Sequence, residues 1–84
     1  MRTFELVPTN GRKSFYGKAI VKESDNFIIL ESYGTEVAGY NKEDRVLEVT
    51  KNEEWLTATT LNHIRSFQEY LGYKPQSKKE ILNN

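Results

Sequence analysis

The sequence predicts an α+β domain: an antiparallel β-meander of four to five strands followed by one C-terminal α-helix packed on one face. Three observations point there. Over residues 3–50, apolar and polar residues alternate at the strand period between short turn-forming clusters. Over residues 57–71 the period lengthens to that of a helix. The 84 residues, 37% of them hydrophobic, supply a single small core, so the chain is expected to be one domain, with strands over about 3–50, a helix over about 57–71 and a tail over 73–84.

The strands follow from alternation. Thr3 to Val7 places Phe4 and Leu6 on one side and Glu5 on the other, and Pro8-Thr9-Asn10-Gly11 then supplies an Asn-Gly pair, whose easy positive φ favours a tight hairpin. Phe15 to Glu23 is the second strand, with Phe15, Gly17, Ala19 and Val21 toward the core and Tyr16, Lys18, Ile20 and Lys22 away from it. Ser24-Asp25-Asn26 turns the chain into Phe27 to Tyr33, a strand apolar on both faces near its start. Gly34 permits a reversal into Thr35 to Tyr40, and the polar turn Asn41-Lys42-Glu43-Asp44 precedes Arg45 to Thr50. The echo of Phe15-Tyr16-Gly17 in Ser32-Tyr33-Gly34 is hairpin chemistry, too short to be a repeat.

The helix is the best-specified element. Leu61, Ile64, Phe67 and Leu71 share one stripe, Thr57 is its N-cap, Leu56 and Leu61 form a hydrophobic staple, and Gly72 takes the left-handed position beyond its end. Pro75 stops continuation. Ser77-Lys78-Lys79-Glu80 has capping-box spacing ahead of Ile81-Leu82, enough for one docked turn or a frayed end. The helical stripe is expected to meet Phe4, Leu6, Phe15, Ala19, Val21, Leu47 and Val49, with Trp55 as a plug between sheet and helix.

The residues offer little for catalysis. Without Cys there is no disulfide, thiolate nucleophile or zinc-finger site, and His63 has no second His to complete a metal site; it is expected at the surface or boundary of the helix. Nucleophile-elbow, zinc-protease, phosphate-loop and dinucleotide motifs are absent, and the pairs Glu43-Asp44 and Glu53-Glu54 read as solvated turns. The expectation is a non-enzymatic protein with no catalytic residue, no metal and no cofactor. The longest apolar run, Phe27-Ile28-Ile29-Leu30, is far below a membrane span, and Met1-Arg2-Thr3-Phe4 opens no signal-peptide pattern, so a cytoplasmic protein is expected.

Binding is better represented. The formal net charge is zero, yet residues 1–22 carry five cations against one acid, residues 23–56 nine acids against three cations, and residues 57–84 four cations against two acids. Five of the ten aromatic residues are tyrosines, a type that combines contact area with a polar tip. One helix covers one face of such a sheet, so Tyr16 and Ile20, with either Ile29 and Tyr33 or Ile28 and Leu30, are expected on an open face. The candidate protein-binding residues are Tyr16, Ile20, Tyr33 and Tyr40, and the partner is another protein or a second copy in a homodimer. The alternative is nucleic acid held by Arg12, Lys13, Lys18 and Lys22 around the first hairpin, although no RNP1 pattern is present and the middle third is acidic.

Leu6-Val7-Pro8-Thr9, Ser14-Phe15-Tyr16-Gly17-Lys18-Ala19, Ser32-Tyr33-Gly34-Thr35-Glu36-Val37-Ala38, and Trp55 followed by Thr59-Thr60-Leu61-Asn62-His63-Ile64-Arg65-Ser66-Phe67 together span nearly the whole chain. In these segments the sequence resembles a group of small uncharacterised proteins from Gram-positive bacteria, their phages and mobile elements. The resemblance transfers no catalytic residue. It implies a setting of short phage or mobile-element proteins, many of which bind and block a host protein such as a defence effector.

Overall fold

A computed structural model of the protein describes residues 1–9 and 14–83. Five strands, β1 (Arg2–Glu5), β2 (Ala19–Glu23), β3 (Phe27–Ser32), β4 (Thr35–Asn41) and β5 (Val46–Val49), form one sheet in sequence order with every neighbouring pair antiparallel. A 3₁₀ turn, Glu53–Trp55, leads into α1 (Ala58–Tyr70), and a short α2 (Lys78–Leu82) ends the chain. The α+β meander is as the sequence predicts.

The second strand is shorter than its alternation suggests. Instead of extending from Phe15, the chain turns: Tyr16 and Gly17 have φ of 53° and 74°, and Lys18 N–H donates to the Phe15 carbonyl at 3.0 Å. Tyr33 and Gly34, with φ of 52° and 79°, make the same two-residue turn between β3 and β4. Positive φ at both central residues defines the type I′ turn, whose twist suits antiparallel strands. The two Tyr-Gly turns are therefore the same chemistry used twice, and they touch where Tyr33 N–H donates to the Lys18 carbonyl at 2.8 Å. The Asn10-Gly11 hairpin expected from the sequence lies outside the described residues.

Alternation sorts the remaining strands. Ala19 and Val21 of β2, Ile28, Leu30 and Ser32 of β3, and Ala38 of β4 are buried on the covered face. The register slips between Leu30 and Glu31, and this bulge lets Val37 and Ala38 both be buried although they are adjacent in sequence. Ile64 and Phe67 of α1 meet this layer, with Leu61 and Leu71 packed at its margin. The Thr57 hydroxyl accepts from Thr60 N–H at 3.2 Å to start the helix. Gly72 at φ 88° ends it, with Gly72 N–H on the Glu69 carbonyl and Tyr73 N–H on the Gln68 carbonyl, a Schellman motif.

Two expectations are corrected here. Trp55 is 44% exposed, because the 3₁₀ turn aims it outward and Leu56 fills the place between sheet and helix. His63 is buried, at 1% exposure, on a helix whose buried side also carries Thr60, Ser66 and Gln68. Between them these polar residues hold three segments: Thr60 and His63 bond Ser32 of β3, Ser66 the N-terminal arm and Gln68 the tail. Ser66 Oγ accepts from Thr9 N–H at 3.2 Å, and Gln68 exchanges two 2.9 Å bonds with Gln76 through its side-chain amide. The tail is thereby docked, α2 buries Ile81, and Ser77 and Glu80 complete the capping box.

Charge closes the sheet edge. Glu23 accepts from Arg2 at 2.6 Å and pairs with Lys42 at 2.7 Å, and these bonds, the one from Lys42 first, hold its carboxyl below the ordinary glutamate value. Glu80 is held low by the Ser77 backbone N–H. A carboxylate with a depressed folded pKa stabilises fully above its unfolded value and loses that contribution as pH falls through the folded one. The melting temperature should accordingly fall below pH 4.5, the ordinary glutamate value, and Glu23→Gln should start lower at neutral pH and fall less on acidification. Phe67→Ala should cost roughly 3–5 kcal/mol, enough to unfold much of so small a domain, as measured by denaturant titration.

Candidate functional site

With α1, the N-terminal arm (residues 6–9) and the tail all on one side, the opposite side of the sheet is left uncovered by the described residues. Register fixes which residues it presents: Thr3 and Glu5 from β1, Ile20 and Lys22 from β2, Phe27, Ile29 and Glu31 from β3, Glu36, Gly39 and Asn41 from β4, and Val46 and Glu48 from β5. Phe27 and Val46 are among the exposed large hydrophobic side chains, and Ile20 and Ile29 are half-buried between their neighbours. Over β3, β4 and β5 the face dips into an open groove of about 610 Å³ lined by Phe27, Ile29, Val46 and the acids Glu36, Asp44 and Glu48.

The electrostatics of this face are one-sided. Lys22 is engaged with Glu31 at 2.9 Å, while Glu36, Asp44 and Glu48 form no ion pair among the described residues. Glu36 also stands directly across from Glu31 in the register, a like-charge pair that weakens the sheet where it occurs. The groove thus combines apolar walls with an acidic rim that makes no ion pair among the described residues, a surface suited to a partner that is both apolar and cationic.

The four expected protein-binding residues do not share a face. Ile20 lies on the uncovered side. Tyr16 is 80% exposed on its own turn, outside any strand. Tyr33, 56% exposed, caps the β3–β4 hairpin and leans over His63 with ring centroids 5.7 Å apart. Tyr40 is on the covered face, opposite Ile28 and Leu47, with its ring edge-on to Tyr73 at 6.2 Å. Burial, and after it the neighbouring Tyr40, raises the Tyr73 phenol pKa above its ordinary value. Strand three resolves in favour of Ile29 on the open side, with Ile28 and Leu30 buried. Sequence reasoning passed over Phe27, Gly39 and Val46, and it did not see that Glu36 and Glu48 flank them.

Of the alternative nucleic-acid set, Arg12 and Lys13 lie outside the described residues, Lys18 is exposed beside the first Tyr-Gly turn, and Lys22 is tied to Glu31. No group of three or more His, Asp or Glu side chains among the described residues is placed to hold a metal ion. No helix among them is long and apolar enough to cross a membrane.

One pair has the spacing of a nucleophile and its base. Ser32 Oγ and His63 Nδ1 are 2.7 Å apart, and the same hydroxyl is 2.9 Å from Thr60 Oγ1. Ser32 is only 2% exposed, and His63 is packed edge-on against Phe15 with centroids 4.5 Å apart. The arrangement ties α1 to the end of β3 and fixes the ring beneath Tyr33. Trp55 and Tyr33 border a shallow cleft of about 300 Å³ next to this network, lined by the threonines at the start of α1.

A family model described as "Family of unknown function (DUF8033)" matches residues 4–84, and the chain belongs to that family. Neither the curated proteins nor the solved structures contain a match to it.

Because the Ser32 hydroxyl serves both Thr60 and His63 out of water, Ser32→Ala should destabilise the fold by about 1–3 kcal/mol. Equilibrium unfolding of the variant measures it; an unchanged midpoint would mean that the network contributes nothing.

Proposed function

We propose that this DUF8033 protein is a non-enzymatic binding module that recognises another protein through the uncovered face of its sheet. The observation that carries the reading is the apolar set Ile20, Phe27, Ile29 and Val46 on a face that α1, the arm and the tail leave bare. Such a patch, bordered by polar residues, is characteristic of protein-interaction surfaces. The tyrosines contribute less than the sequence suggests: Tyr16 and Tyr33 stand at the edge of the molecule as accessory contacts, and Tyr40 packs inward.

The sequence resemblance to small phage and mobile-element proteins gives the binding a purpose, the blocking of a host protein in the cytoplasm. An acidic, apolar face suits that role, since many host enzymes that act on nucleic acid carry cationic grooves. Nucleic acid itself is a poorer partner for this face, where Glu36, Asp44 and Glu48 would repel phosphate. A homodimer through the same face would set these acids against their own copies.

Light scattering on the purified protein should report a monomer, and a nuclease-treated pull-down from lysate of the source cells should retain one protein at moderate salt. Ile29→Glu should release that protein while circular dichroism shows the chain still folded, at some cost in melting temperature, whereas Tyr40→Phe should keep it. A capture that survives Ile29→Glu, or that nuclease abolishes, would overturn the reading.

A further inference from the structure

Gly39 occupies the middle of β4, between Ile29 of β3 and Glu48 of β5. Gly34 and Gly72 have positive φ and are required by their turns, but the φ of Gly39 lies outside the left-handed region. A Cβ built on it would meet no atom within 4 Å. Nothing in the fold itself calls for glycine at this position. An interior strand glycine gives up cross-strand contact and loses more backbone entropy on folding than any other residue, and where it persists it often marks the close approach of another chain.

The missing side chain makes the floor of the groove. Strands stand about 4.8 Å apart, so the ridge of Phe27 and Ile29 and the ridge of Val46 and Glu48 are roughly 10 Å from each other across β4. That separation matches the diameter of an α-helix with its side chains, about 10–12 Å. The face of a sheet offers no free backbone donors or acceptors, so an extended segment laid on it would leave its own peptide groups unpaired, whereas a helix satisfies them internally. The acids decide the charge of the occupant. Glu48 rises from β5 directly beside Gly39, Glu36 stands on β4 itself at one end of the floor, Asp44 lies in the β4–β5 turn at the other, and none of them forms an ion pair among the described residues. A second copy of this chain would bring the same acids to the same place.

We infer that the Gly39 trough seats a cationic amphipathic helix of a partner protein, its apolar stripe between Ile29 and Val46 and its bordering lysines or arginines against Glu36, Glu48 and Asp44. The inference rests on the protein-binding role of the uncovered face and gives that role a partner class. Gly39 then sets how deeply the helix sits, and the acids select against neutral and anionic helices.

Two designed probe peptides test it, both helices of about 18 residues with the same leucine stripe, one flanked by lysine and the other by glutamate. Each is titrated into the full chain by fluorescence anisotropy, with amide shifts recorded by NMR. The lysine peptide should bind and shift Ile29, Gly39 and Val46, and the glutamate peptide should not. Gly39→Val should weaken the lysine peptide by about tenfold or more while the melting temperature holds or rises, because the added side chain fills the trough and suits a strand. Equal binding of the two peptides, no binding of either, or unchanged affinity in Gly39→Val would overturn the helical seat. So would a dimer in light scattering that Gly39→Val dissociates, since the occupant would then be a second copy. The two levels separate cleanly. If Gly39→Val has no effect but Ile29→Glu abolishes binding, the face is used and only the helical seat falls; if Ile29→Glu has no effect either, the protein-binding role falls with it.

Discussion

A single helix of thirteen residues has to organise everything that is not sheet. At 1.5 Å per residue α1 is about 20 Å long, close to the width of five strands at about 4.8 Å spacing, so it can span the sheet once and cover one side only. Its buried surface is partly polar, and that is what gives it reach. Thr60 and His63 bond to Ser32 in the sheet, Ser66 to Thr9 in the N-terminal arm, and Gln68 to Gln76 in the tail. Ile64 and Phe67 provide the apolar contact, and the polar side chains determine which segments come to it.

The uncovered face follows from that economy. Arm, helix and tail are all recruited to the same side because their polar partners are on α1, and among the described residues no element remains for the other side. In a sheet this small, bare apolar residues such as Phe27 and Val46 are a cost in water, and a partner that covers them recovers it.

The meander also preserves a pattern written along the chain. The acids of residues 23–56 could have been dispersed had distant strands interleaved, but the order β1 to β5 follows the sequence, so β3, β4 and β5 remain together. Glu23 is drawn to the edge and neutralised by Arg2 and Lys42, and Glu31 by Lys22. Of the seven acids left over, Glu36, Asp44 and Glu48 collect around the groove. A chain with no net charge thus shows one strongly acidic surface.

Much of the fold was legible in local chemistry. Alternation located five strands, Thr57 and Gly72 bounded the helix, and Ser77 with Glu80 announced the short one, because turns and caps are decided by residues within a few positions of each other. Phe15 to Lys18 misled for the same local reason: an alternating pattern looks like strand whether or not a neighbour is available to pair with it, and here Tyr16-Gly17 turns instead. The site was less legible. Tyr16, Tyr33 and Tyr40 are the same residue type but separate onto two turns and the covered face, and the interior strand glycine at position 39 was overlooked together with Phe27 and Val46. The sequence by itself determined the elements, their order and their caps, since these rest on short-range backbone preferences. Only the tertiary structure decided that His63 is interior, that Trp55 faces out, and which residues of β3 to β5 form the groove, because burial and shared faces depend on pairing register and on which side the single helix lands.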